Sequence, residues 1–257
     1  MGRGDNEATE FRRKGTMSMS ELRDLVIDAH GGMERWSKVK TIDGDMSITG
    51  ALWARKGWPD ALKAVHVTAD TRSQWISYRR FISEGMCSVC TPDRTVIETQ
   101  DGKPIKDRKN PRASFDGHTV ETPWDDLNLA YFSGYAMWNY LNAPFIFALP
   151  GFKTEEIEPW IDNGEKRRRL KVVFADHIAT HCAEQIFHVN RDGLICRMDY
   201  SAPVTGGAPT AHYLSEHKDF SGIKIATKRR ALRRKADGTA IPDPVFVAID
   251  ITDIRLS

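Results

Sequence analysis

The chain has 257 residues, of which 40% are hydrophobic and 28% are charged, a composition typical of a globular protein with a sizeable core. A formal net charge of +2 gives no general electrostatic reason to expect nucleic acid or an anionic membrane as the partner. No stretch approaches the roughly 18 consecutive apolar residues that a transmembrane helix needs. The N-terminus also lacks the apolar region of a secretory signal, so we expect a cytoplasmic protein.

The N-terminal part divides into a polar tail and the start of the folded region. Residues 1–17 predict a disordered tail, and residues 18–257 predict a single domain. Ser18 and Glu21 form a capping-box pattern that predicts the start of a first helix. A second short helix is predicted around Trp36, and we expect the helical pair to cover one end of a sheet.

From Thr41 onward the hydrophobic period changes from about 3.6 residues to about 2, which indicates strands. The first long strand is predicted to close at Leu52-Trp53. Four Asx-Gly dipeptides separate the alternating runs and predict tight turns between antiparallel strands: Asp101-Gly102, Asn163-Gly164, Asp192-Gly193 and Asp237-Gly238. A flat sheet of so many strands would leave one whole apolar face in water, so we expect a meander that curls into a half-barrel.

One long helix interrupts the strands, at Thr122–Pro144. Thr122 is the predicted N-cap and Pro123 the first helical residue, while Asp125 and Asp126 suit the positive end of the helix dipole. Apolar residues surround the whole girth of this helix, so we expect the sheet to wrap around it. The predicted fold class is therefore α+β, a strongly curved antiparallel sheet with N-terminal helices and a central helix packed in its concave face.

These patterns resemble a known fold. The helical pair ending in HGGMERW at 30–36, the long meander and the internal helix are together similar to the LolA-like half-barrel of outer-membrane lipoprotein-sorting proteins and of uncharacterised bacterial relatives. The C-terminal run is especially similar, from QIFHVNRDGLICRMDY at 185–200 to EHKDFSGIKIATKRR at 216–230. The resemblance implies a concave face like the one in which periplasmic carriers bind acyl chains. A violacein-pathway enzyme has a similar scaffold, so the fold is compatible with both ligand binding and catalysis. The resemblance does not identify any functional residue in this sequence.

Histidines are the first candidates for chemistry. His177 and His181 are four residues apart, so on a helix they would share one face. They lie between predicted strands, however, and in extended chain about 13 Å would separate the two rings. We therefore expect no metal site there. His212, Tyr213 and His217 lie on a predicted strand whose two faces both mix polar and apolar residues, as in a strand lining a wet cavity. Strict alternation places His212 on one face and the other two on the opposite face. A histidine beside a tyrosine could perform acid–base catalysis near neutral pH.

The cysteines and the basic runs carry no specific signal. Cys87 and Cys90 form a C-x-x-C within a predicted strand, where their odd separation points the side chains to opposite faces, and the other two cysteines supply no matching pair for zinc. The basic runs 166–169 and 228–235 lack the interleaved aromatic residues that stack on bases, so we expect a solvated convex face. We therefore expect the protein to bind no metal ion, no cofactor and no nucleic acid.

Our leading hypothesis is that the half-barrel binds a hydrophobic or aromatic small molecule, or a lipid chain, in its concave face. The reason is a surplus of Trp and Tyr, whose polar atoms a purely structural core would not need. The predicted ligand-binding residues are Trp53, Trp75, Tyr78, Tyr131, Tyr135, Trp138 and His188.

The alternative hypothesis is a cofactor-independent enzyme that converts a hydrophobic metabolite on the same scaffold. Its catalytic residues would be His212, Tyr213 and His217, with Tyr131 or Tyr135 opposite. A third hypothesis is a non-catalytic interaction protein that uses the sheet edge as its surface. The sequence leaves the choice among these hypotheses, the reaction type and the oligomeric state open.

Overall fold

The computed structural model describes residues 21–257, so the predicted tail over 1–17 and the predicted cap at Ser18 lie outside the described residues. Within this range the α-helices span Glu21–Ala29 (α1), Gly32–Trp36 (α2), Ala51–Arg55 (α3) and Asp126–Asn142 (α4). The strands of the same range span Thr41–Thr49 (β1), Leu62–Asp70 (β2), Ile76–Arg79 (β3), Met86–Cys90 (β4), Arg94–Thr99 (β5), Pro104–Lys109 (β6), Lys153–Asp162 (β7), Glu165–Val173 (β8), Glu184–Val189 (β9), Ile195–Ser201 (β10), Pro209–Phe220 (β11), Ile223–Arg234 (β12), Ala240–Ile241 (β13) and Val247–Leu256 (β14). No helix in residues 21–257 is long and apolar enough to cross a membrane.

All the strands belong to one antiparallel sheet, in the order β6-β5-β4-β3-β2-β1-β14-β12-β11-β10-β9-β8-β7, with β13 paired to β12 at the side. β1 pairs with β2 on one side and with β14 on the other, so the first and last strands meet in the middle of the sheet. Three of the predicted Asx-Gly turns join β5 to β6, β7 to β8 and β9 to β10, and the fourth joins β12 to β13. The predicted antiparallel half-barrel is confirmed, and β6 and β7 form its two edges.

The central helix α4 begins at Asp126 with Asp125 as its N-cap, so the prediction that Thr122 caps it is wrong. The Asp125 carboxylate accepts a hydrogen bond from the backbone N–H of Asn128 (2.7 Å), and the Asn128 side chain accepts one in return from the backbone N–H of Asp125 (3.3 Å). Lys56 holds the preceding segment as a loop, because its Nζ donates to the carbonyl oxygens of Thr119, Val120 and Thr122. Thr122 is thereby kept out of the helix, and Asp125 caps α4 in its place.

A second correction concerns the end of the first strand, which stops at Thr49 and does not run through Leu52 and Trp53. Gly50 has φ = 122°, and a Cβ there would lie 2.4 Å from the carbonyl oxygen of Phe246. Only glycine fits this close approach in the left-handed region. The chain therefore turns at Gly50 into the short helix α3, which buries both Leu52 and Trp53.

Every residue of α4 after Asp126 is buried, as its apolar girth predicts. The Trp138 indole donates to the carbonyl oxygen of Asp70 (2.7 Å), and the Tyr78 hydroxyl donates to the carbonyl oxygen of Ser133 (2.9 Å). A Cβ on Gly134 would lie 2.7 Å from the Cβ of Cys90 on β4, so helix and sheet approach closely there. The helix therefore fills the concave face, and it positions the site described next.

Candidate functional site

A narrow cleft lies on the concave side, between the C-terminal half of α4 and strands β9 to β12. We call it the Arg229 cleft, after the charged side chain that β12 places in it. Its apolar walls include Leu141, Phe145, Phe174, Phe187, Ile195, Met198, Leu214 and Ile225. Its free volume is only about 20 Å³, which holds about one water molecule. The cleft is thus an apolar slot that its own side chains nearly close.

Arg229 carries a positive charge into this apolar slot. Its Nη2 donates to the carbonyl oxygen of Tyr140 (2.8 Å), and its guanidinium lies 4.8 Å from the centroid of the Tyr140 ring. Burial lowers its pKa to about 10, so the guanidinium stays charged at neutral pH. Arg229 is not among the predicted site residues, because the basic run 228–235 as a whole is typical of a solvated face.

Three histidines line the cleft, and two of them, His30 and His217, pack against each other. The Nδ1 of His30 donates to the carbonyl oxygen of Val26 (2.8 Å), and the ring of His217 packs edge-on against His30 with centroids 5.9 Å apart. Burial lowers the pKa of each imidazole to about 4. Both rings are therefore neutral at pH 7 and add no charge to the cleft.

His217 reaches this cleft because the alternation of β11 breaks one residue earlier. Glu216 has a left-handed backbone (φ = 53°) in the middle of the strand, and its carboxylate pairs with exposed Lys228 (2.7 Å). Leu214 and His217 consequently line the same cleft although they are three positions apart, an odd spacing that would place them on opposite faces of a regular strand. The expectation that His217 shares a face with Tyr213 is wrong for this reason.

A chain of buried hydrogen bonds connects tyrosines and histidines beside the cleft. Tyr135 and Tyr140 place their hydroxyls 3.0 Å from Nδ1 and 2.7 Å from Nε2 of His181. The Tyr200 hydroxyl lies 3.3 Å from that of Tyr140 and 3.4 Å from Nδ1 of His212. Burial lowers the pKa of His181 to about 3 and raises that of Tyr140 to about 12. These neutral groups partner one another.

His212 and Tyr213 occupy opposite faces of the sheet and do not form the predicted pair. The Tyr213 hydroxyl donates to Asp162 (3.1 Å), in a cluster where Arg197 also binds Asp162 and Asp199. His212 instead meets the Tyr200 network on the concave side. Burial also lowers the pKa of His212 well below its usual value, so acid–base work near neutral pH gains no support, and the enzymatic alternative stays a prediction.

None of the seven predicted ligand-binding residues lines the Arg229 cleft within the described chain. His188 lies on the other face of the sheet, where its Nε2 is 3.2 Å from the Asp199 carboxylate. Tyr131 lines a second cleft, described below, and Trp75 is half-buried at the start of β3. The other four are buried against the central helix or within it: Trp53, Tyr78, Tyr135 and Trp138. Their predicted binding role stays a prediction.

Residues 174–183, which we call the strap, connect β8 to β9 and cross the concave face. Arg112, which follows β6, donates to the carbonyl oxygen of Thr180 (2.7 Å). Gln74, which follows β2, donates to the carbonyl oxygen of Ala179 (2.7 Å) and accepts from its N–H (2.8 Å). The strap thus ties the two halves of the half-barrel together over α4.

The strap separates two spaces. On its far side lies a wider cleft with a free volume of about 430 Å³, lined by the strap, Asp93, Arg112 and Tyr131. Phe174 and Thr180 form part of the wall of both clefts. His177 of the strap is exposed while His181 is buried, so the two histidines do not share a site.

The curved open sheet wrapped around a central helix defines a LolA-like half-barrel, and comparison with solved structures agrees. The chain is similar to a DUF1329 family protein from Desulfovibrio piger (12% identity, TM-score 0.54, 93% of each chain covered). It is similar as well to a putative outer membrane lipoprotein-sorting protein domain from Vibrio parahaemolyticus (8%, 0.51, 93% of this chain and 94% of that one). A LolA superfamily protein from Nitrosomonas europaea matches at 9% identity and a TM-score of 0.51, with 94% of each chain covered. No protein-family model and no curated protein sequence matches the chain.

Proposed function

We propose that the protein binds a hydrophobic small molecule or a lipid chain in the Arg229 cleft. The observation that carries the proposal is the apolar lining, which α4 and four strands supply on the concave side of the sheet. Small-molecule sites are typically concave and apolar with a few polar groups, and this cleft has that character. Two solved proteins of the same fold are described as a lipoprotein-sorting protein domain and a LolA superfamily protein, which supports a hydrophobic ligand.

Ligand entry requires the cleft to widen, because its free volume of about 20 Å³ admits no more than about one water molecule. The strap is the element best placed to move. It forms a wall of both clefts, and hydrogen bonds from Gln74 and Arg112 hold it across the helix. Displacing the strap would join the narrow cleft to the open one and give a ligand a path inward.

The test is displacement of a neutral fluorescent probe, N-phenyl-1-naphthylamine, by dodecanol. We expect the wild-type protein to enhance the probe's fluorescence and dodecanol to reverse the enhancement. Leu214→Trp should abolish both effects, because the larger side chain fills the slot. Overpacking of this kind lowers the free energy of unfolding by about 1–3 kcal/mol, so circular dichroism must show that the variant is folded.

The matched control is Ser215→Trp, which places the same side chain one residue further along β11. Ser215 is exposed and does not line the cleft, so this variant should bind the probe as the wild type does. Unchanged probe binding by folded Leu214→Trp would refute the location of the site. Absence of any probe binding by the wild-type protein would refute the proposed function.

A further inference from the structure

Three cationic side chains are buried within the described chain, and they differ in how well they are partnered. Arg197, 1% exposed, forms ion pairs with two carboxylates at 2.7 and 3.0 Å. Lys56 donates to three carbonyl oxygens at 2.8 to 3.1 Å. Arg229 is 4% exposed, and its guanidinium makes one hydrogen bond within residues 21–257, to the carbonyl oxygen of Tyr140. Its buried Nε has no acceptor there.

The surroundings of Arg229 supply no negative charge. No Asp or Glu lines its cleft within residues 21–257. Besides Arg229, the ionisable side chains that line it are three histidines, one tyrosine and one lysine. Burial keeps His30, His181 and His217 neutral, and it keeps the Tyr140 hydroxyl protonated. Lys224 adds a second cation from an exposed position. A buried charge without a counterion costs several kcal/mol, and proteins rarely keep one unless it has a partner. Arg229 thus has no counterion among the described residues that line its cleft.

We propose that Arg229 binds the carboxylate of an amphiphilic ligand whose apolar part lies along the walls of the cleft. The ligand class is thus a medium- or long-chain carboxylic acid. This inference rests on the proposed function, since it assigns the head group of the same ligand. It adds a charge preference that an apolar cleft alone would not have.

Charge balance favours a carboxylate over a phosphate. A carboxylate carries a single negative charge and matches the one buried guanidinium, whose unpaired N–H groups can donate two parallel hydrogen bonds to its oxygens. A phosphate monoester carries about −1.5 to −2 at pH 7 and would leave surplus negative charge in an apolar slot.

The experiment compares dodecanoate with dodecanol as competitors of the neutral probe, at a pH where the acid is ionised. The two ligands share the same chain and differ only in the head group. We expect the wild-type protein to bind dodecanoate about tenfold to a hundredfold more tightly than dodecanol, as hydrogen bonds to a buried charge would give. Arg229→Met should lose this preference and keep its affinity for dodecanol, while Arg229→Lys should retain part of the preference.

Lys228→Met is the matched control, because it removes one cation from the neighbouring position of β12, where the side chain is exposed. It should leave the preference for dodecanoate unchanged. Equal binding of acid and alcohol by the wild type overturns the inference about the head group and leaves the proposed function standing. A loss of preference in Lys228→Met as large as that in Arg229→Met also overturns the inference about the head group. Failure of both ligands to bind overturns both proposals.

Discussion

The contrast between the two buried arginines predicts opposite effects on stability when each is replaced by methionine. In Arg229→Met the protein loses one hydrogen bond and one cation–π contact, worth about 1 kcal/mol each. It also loses the penalty of burying a charge without a counterion, which is about 3 kcal/mol or more. We therefore expect the ligand-free variant to be about 1 kcal/mol more stable than the wild type.

Arg197→Met should behave in the opposite way. It leaves the carboxylates of Asp162 and Asp199 buried without their main partner, and breaking a buried ion pair from one side costs about 3–5 kcal/mol. Urea unfolding followed by tryptophan fluorescence would measure both variants, and their free energies of unfolding should differ by about 4 kcal/mol or more. If Arg229→Met is destabilised as strongly as Arg197→Met, Arg229 has a structural role and the reasoning is refuted.

Buried groups elsewhere in the protein give three further predictions. Burial lowers the pKa of four histidines: His30, His181, His212 and His217. The unfolded chain binds protons on these histidines below about pH 6.5, whereas in the folded chain the pKa is about 4 for His30 and His217, about 3 for His181 and well below its usual value for His212. The free energy of unfolding should therefore fall as the pH falls below about 6.5. An unchanged value in urea titrations would contradict this. Trp138→Ala should lower the free energy of unfolding by about 3–5 kcal/mol. Trp138→Phe should lower it by only about 1–2 kcal/mol, because it removes the hydrogen bond to the carbonyl oxygen of Asp70 and keeps most of the packing. Equal losses of stability in the two variants would contradict this division. Gly134→Ala should lower the melting temperature, because its Cβ would collide with Cys90, and a rise from helix propensity alone would contradict the close approach.

Much of the fold could be predicted because its signals are local in the sequence. The two-residue period, the Asx-Gly turns and an all-apolar helix each act within a few residues, and together they favour one curled antiparallel sheet. The errors arose where a distant residue decides the local structure. Lys56 holds the segment before α4 as a loop, and the carbonyl oxygen of Phe246 lies where a side chain at Gly50 would be. Both contacts join residues that are far apart in the sequence, so neighbouring residues do not predict them.

The candidate site was harder to predict, because its polar residues depend on single side-chain orientations. Arg229 lies in a strongly basic run, and the clue was that Ile225 and Ala231, four residues before it and two after it, share its face of the strand. His217 faces the cleft because of the left-handed backbone at Glu216, which no period reveals. His181 lies in a connecting loop without regular structure. The predicted cytoplasmic location and the predicted single domain stay predictions.

The two open edges of the half-barrel have a consequence for self-association. A sheet that ends at β6 and β7 leaves unpaired backbone groups, which can recruit further strands from other molecules and grow into aggregates. The sequence of β6 is PIKDRK, and that of β7 is KTEEIEPWID. Each edge strand has one large exposed apolar side chain, Ile105 in β6 and Ile161 in β7. Charged residues and a proline flank each of these isoleucines. Such residues act as gatekeepers against edge-to-edge pairing. A half-barrel can thus keep an open side for a ligand without offering its edges to its neighbours.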